Sequence, residues 1–81
     1  MEVLREIRRV LATLSLDQFV GIYRDPTFGD SDEYGTYVVG VGVYIKVRVT
    51  TYPAEVLVIS FHPIHEEPLP TRSGDIVRRR P

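Results

Sequence analysis

Apolar residues at Val3, Leu4, Ile7, Val10, Leu11 and Leu14 recur at steps of three and four, which places them on one stripe of a 3.6-residue helix. Glu2, Arg5, Glu6, Arg8 and Arg9 occupy the remaining surface, with Glu2–Arg5 and Arg5–Arg9 at one-turn spacing. Ser15-Leu16-Asp17-Gln18 then has the spacing of a capping box, in which Ser15 caps the Gln18 amide and Gln18 reaches back. A second helix is predicted from about Leu16 to Arg24, with Leu16, Phe19, Val20 and Tyr23 on its inner side. Asp25-Pro26 ends it, because proline pushes the preceding residue out of helical geometry.

Beyond the polar, glycine-containing stretch from Thr27 to Glu33 the period changes from 3.6 to 2. Val43, Ile45, Val47 and Val49 alternate with Tyr44, Lys46, Arg48 and Thr50, the pattern of a strand with one buried and one wet face. Tyr34 to Val39 reads as an earlier strand, joined to this one through a Gly40-Val41-Gly42 turn. Tyr52-Pro53-Ala54-Glu55 makes the next turn, with Pro53 suited to its first central position. Val56 to His62 is apolar on both faces and is expected to be the best-buried strand of the three. After Pro63, the prolines at 68 and 70 and the aperiodic Thr71-Arg72-Ser73-Gly74 predict a tail that is extended or disordered alone, with Ile76-Val77 able to add a short edge pairing.

The expected architecture is therefore α+β: two N-terminal helices packed on one face of a three-stranded antiparallel β-meander, followed by an extended C-terminal tail. Residues 1–65 form the single domain of this reading and residues 66–81 the Pro/Arg-rich tail. A chain of 81 residues is too short for two cores. The absence of cysteine excludes disulfides, thiolate nucleophiles and Cys-based metal centres. No apolar run reaches the length of a membrane span, so a soluble, cytoplasmic protein with no membrane partner is expected. Nine of the ten basic residues are arginine, a skew that fits a GC-rich or thermophilic source.

Net charge is −1, far from the strongly basic balance of a dedicated duplex binder. A local basic patch remains on the open face of the alternating strand, where Tyr44, Lys46 and Arg48 point the same way, with Tyr52 near its end. His62-Pro63-Ile64-His65-Glu66 invites a metal reading, but Pro63 rules out a helix that would hold both imidazoles on one face. No further His or Cys can complete a zinc site; only Glu66, Glu67 or a second subunit could. No metal and no cofactor is expected. His62 is instead the strongest candidate for a general acid or base. Asp30-Ser31-Asp32-Glu33-Tyr34-Gly35 begins like a calcium loop but has Tyr34 at the fifth position and Val41 at the twelfth.

Leu14-Ser15-Leu16-Asp17-Gln18-Phe19, Arg24-Asp25-Pro26 and Val58-Ile59-Ser60-Phe61-His62-Pro63 together resemble compact domains akin to the RelE/ParE toxin superfamily. Those domains carry the pattern H-x-x-x-R-x-x-x-R-G-I-S, then an acid-rich helix ending in Asn/Asp-Pro, then a β-meander closing in aromatic-Pro. Arg8 falls at the first Arg of that pattern, while Leu4, Ala12 and Thr13 replace its His, second Arg and Gly. The resemblance spans residues 4–64. It implies a toxin-like domain that cleaves RNA on the ribosome, poisons a topoisomerase, or has lost both activities.

Two functions follow as expectations. One is a metal-independent ribonuclease, or the toxin component of a toxin–antitoxin pair. In it Lys46 and Arg48 neutralise charge, His62 shuttles a proton, and Tyr44, Arg8 and Arg72 hold the substrate. Its partners would be RNA and an antitoxin-like protein. The other is a non-catalytic interaction module, a homodimer or complex subunit, since a small sheet leaves edges to be covered and an 81-residue core is small.

Overall fold

The structure is a computed structural model that describes residues 2–27, 29–65 and 67–81. Helix α1 spans Glu2–Thr13, and its stripe meets the sheet through Val10, Leu11 and Leu14. The side chains of Val3 and Leu4, assigned to the same stripe, lie outside the described residues. At the helix end the Thr13 hydroxyl donates to the Val10 carbonyl at 2.7 Å. On the wet face Arg9 pairs with Glu6.

The second helix does not form. The capping box at Ser15 is present, with the Ser15 amide donating to Gln18 Oε1 at 2.7 Å, but it opens only the single 3-10 turn Leu16–Gln18. Phe19 is already extended at φ −69° and ψ 131°, and the chain continues as strand β1, Phe19–Asp25. Aromatic and β-branched residues dominate this stretch and glycine sits in its middle, a composition that favours a pleated ladder over a helix. Strand β2, Gly29–Val38, pairs antiparallel with β1 and draws its first residues from the polar stretch expected to be a loop. Arg24 and Asp30 face each other across that hairpin at 2.8 Å, and Asp25 Oδ1 accepts from the Thr27 amide in the turn.

Strands β3 (Val41–Thr51) and β4 (Ala54–Pro63) complete a four-stranded antiparallel sheet in the order β1-β2-β3-β4. The β2–β3 turn is Val39-Gly40, one residue earlier than the glycine spacing predicts. Both residues have positive φ, 50° and 78°, as a two-residue hairpin requires. Pro53 takes the second place of the β3–β4 turn, after a cis bond, rather than the first. The alternation in β3 holds where it matters for the core: Val43, Ile45 and Val47 are buried with Val10, and Tyr34, Val38 and Phe61 pack around them.

The three-stranded meander with two helices is thus corrected to one helix on a four-stranded sheet, and the C-terminal segment is not an extended tail. Strands β5 (Leu69–Thr71) and β6 (Gly74–Ile76) pair with each other. They lie on the face opposite α1, with Leu69 and Ile76 over Gly35. Residues 78–80 then run along the start of β3, where β4 has already ended. Gly42 N donates to the Arg78 carbonyl and Arg80 N to the Gly40 carbonyl, both at 2.8 Å. Gly42 permits this approach, because a Cβ there would stand 2.0 Å from the Val77 carbonyl oxygen.

β4 also differs from its expected role as the best-buried strand. Val56, Leu57, Val58 and Ile59 are 59%, 39%, 38% and 45% exposed. β2 follows β3 only as far as the Asp32–Val47 pair, so the ends of β3 and β4 project beyond it as a two-stranded ribbon. The apolar run belongs to a sheet edge, which pattern alone does not distinguish from a sheet centre.

Candidate functional site: an aromatic cleft and an open edge

The open face of β3 and β4 carries most of the predicted chemistry. Tyr44, Lys46 and Arg48 lie on one face of β3, and the ladder sets Tyr44 opposite His62 and Lys46 opposite Ser60. The Tyr44 and His62 rings are 5.2 Å apart, and His65 stacks on His62 at 5.3 Å. The His62 Nδ1 lies 2.9 Å from the Pro63 carbonyl, which can only accept, so this nitrogen carries the proton and Nε2 keeps its lone pair in the neutral ring. With Ile64, Glu67 and Leu69 these rings line a shallow cleft of about 460 Å³.

Two residues missed by the sequence reading tune that face. Tyr44 donates its hydroxyl to Glu33 Oε2 at 2.5 Å, from the neighbouring strand. Burial raises the phenol pKa far above its ordinary value, and the hydrogen bond to Glu33 raises it further. Tyr44 is thus a fixed donor, unsuited to act as a base. Tyr23 of β1 lies under Lys46, whose Nζ is 4.1 Å from the ring centre, a cation–π contact. The acidic run in β2 gives no signal for the first contact, and the helical spacing of Leu16, Phe19, Val20 and Tyr23 hides the second.

Arg8 and Arg72 are not brought to the cleft. Arg8 is exposed on α1, whose apolar stripe covers the other face of the sheet. Arg72 sits in the β5–β6 turn, where the next residue, Ser73, donates its amide to the Asp17 carbonyl. His62 and His65 stack face to face instead of converging, and among the described residues no three His, Asp or Glu side chains are grouped to hold a metal. Glu66, named above as a candidate ligand, lies outside the described residues. Asp30 and Asp32, from the calcium-like stretch, are spread along β2.

The second feature is the edge itself. β4 is the last strand of the sheet, ten residues long, and among the described residues no strand pairs with its outer side. It carries no lysine and no proline before Pro63, two of the usual devices that blunt an edge. One device is present: the register with β3 shifts between Lys46 and Val47, leaving Ile59 as an extra, bulged residue. On the α1 side the exposed Val49 and Val56 border a groove of about 440 Å³ whose other wall is Leu11, Ala12 and Leu14. No helix among the described residues is long and apolar enough to cross a membrane.

Compared with models of protein families, with curated proteins and with solved structures, the chain gives no match.

Proposed function

We propose that this chain is a non-catalytic protein-interaction module that joins its partner along the β4 edge. The observation that carries this reading is the exposure of Val56 to Ile59, four consecutive apolar residues on a strand with an open hydrogen-bonding side. Apolar area on both faces gives an added strand something to cover, and unpaired backbone groups give it a ladder to extend. The test compares wild type with Leu57→Lys/Val58→Lys, checked for unchanged circular dichroism, by sedimentation of the purified chain and of native extract of the source. Wild type is expected in an assembly larger than its 9.3 kDa, and the double variant as a monomer. A wild-type chain that sediments as a monomer in both samples sinks the reading.

A toxin-like, metal-independent ribonuclease is the second reading, favoured by the placing of His62, Tyr44 and Lys46 on one open face. It ranks lower because Glu67 lines the same cleft and Glu33 holds its Tyr44 hydroxyl, an unfavourable field for a phosphodiester, and the Lys46 ammonium lies against Tyr23. It requires RNA cleavage in EDTA that falls in His62→Ala and Arg48→Ala; cleavage unchanged in both would remove it.

A further inference from the structure

We infer that the partner on the β4 edge is a second copy of this chain, joined about a two-fold axis so that Val56 of each copy faces Phe61 of the other. The inference rests on the reading of β4 as an interaction edge and adds the occupant and the register.

The direction of the backbone groups limits the register, and the side chains then select it. Gly42 donates to Arg78 and accepts from Ile64 N at 2.9 Å, so its N–H and C=O face away from β2. Alternation along β3 then aims Tyr44, Lys46, Arg48 and Thr50 at β4, and their ladder partners His62, Ser60, Leu57 and Glu55 aim back. Val56, Val58 and Phe61 are left with backbone groups pointing outward. Two copies of an antiparallel edge can exchange hydrogen bonds only where outward residues meet outward residues, and Val56 opposite Phe61 satisfies this twice by symmetry.

Side chains agree with the same register. In the ladder with β3, Val56 and Phe61 stand opposite Val49 and Ile45, on the α1 face; Glu55 and His62 stand opposite Thr50 and Tyr44, on the other face. Glu55 and His62 share a face although their numbers differ in parity, because the bulge at Ile59 shifts the phase between them. Without that residue's shift, a two-fold pairing of 55 with 62 would set side chains on opposite faces. With it, the exposed Val56 is covered by the half-buried Phe61 of the second copy. The one acidic side chain of the strand meets the one imidazole, in place of its own symmetry mate. Pro63, which lacks an N–H, falls opposite Ala54 and ends the ladder. The two sheets become one, with both α1 helices on the same side of the seam.

The chain has no cysteine, so introduced thiols report the register directly. Glu55 opposite His62 is a non-hydrogen-bonded pair, with Cα atoms expected about 4.5 Å apart, close enough for a disulfide. A mixture of Glu55→Cys and His62→Cys chains is expected to cross-link into a dimer under mild oxidation, and either variant alone is not. In sedimentation, Glu55→Lys is expected to weaken the dimer about tenfold, and Glu55→Lys/His62→Glu to restore it, a size in line with interfacial charge reversals. A dimer whose mixed variants fail to cross-link overturns the inference. So does a purified chain that is monomeric at every concentration; if native extract still holds a larger assembly that Leu57→Lys/Val58→Lys breaks, the edge keeps its role with another occupant. A monomer in both samples takes the parent reading with it.

Discussion

Tyr44 shows how one contact fixes the character of a surface. Its hydroxyl is held by Glu33, and burial, the larger cause, keeps the phenol protonated well above the usual range. A folded-state pKa raised above the unfolded one means that stability is complete below the ordinary tyrosine value of about 10 and declines as pH rises past it. Chemical denaturation across that alkaline range is expected to show a steep fall for wild type and a shallower one for Tyr44→Phe. Tyr34 is raised as well, chiefly by burial, so the slope should not vanish in the variant. Val39 makes the opposite point. A β-branched residue at φ 50° is strained, and its side chain, 91% exposed, gains nothing from packing. Val39→Asn suits a turn with two positive φ values and is expected to stabilise the fold by about 1 kcal/mol, read as a higher Tm.

Among the elements, α1 and β3 were legible because each combines one period with one buried face. β1 was not. Leu16, Phe19, Val20 and Tyr23 satisfy a helical stripe over so short a window that period cannot decide, and a genuine capping box at Ser15 favours the wrong answer. The outcome is set by pairing with β2, a contact between segments that no local pattern records. The open face of Tyr44, Lys46 and Arg48 could be read from period 2 alone. Its alignment with His62 depends on the bulge at Ile59, and the Glu33 contact on a third strand. The C-terminal segment was hidden for a related reason: its anchors are Gly42, Gly40 and Tyr37, whose hydroxyl accepts from Val77 N at 3.1 Å. Gly42→Ala is therefore expected to release residues 77–80 while the sheet persists, since the obstructing atom is backbone and cannot step aside. Faster hydrogen exchange at Arg80, with protection retained at Ile45, is the signature; unchanged protection at Arg80 would contradict it.

At the scale of the molecule, the core is small and the outline long. Among the described residues six apolar ones are buried, on two sides of one sheet, and the extents are 41 × 31 × 20 Å. The radius of gyration, 12.7 Å, exceeds the roughly 11.7 Å expected for this length, as a projecting ribbon requires. Such a chain has little surplus stability, and association that covers the ribbon should supply some. Its Tm is accordingly expected to rise with protein concentration, and that dependence to disappear in Leu57→Lys/Val58→Lys. A wild-type Tm independent of concentration would show that nothing is gained by assembly.

The extra residue in β4 has a consequence for how this strand can change length. Val58 pairs with Val47 and Ser60 with Lys46, so excising Ile59 would leave every other rung in place and both faces as they are. Loss of Val56 or Leu57 would instead turn over the side chains between the gap and the hairpin tip, presenting Glu55 to the helix. Indels in this strand are thus tolerated at a single address.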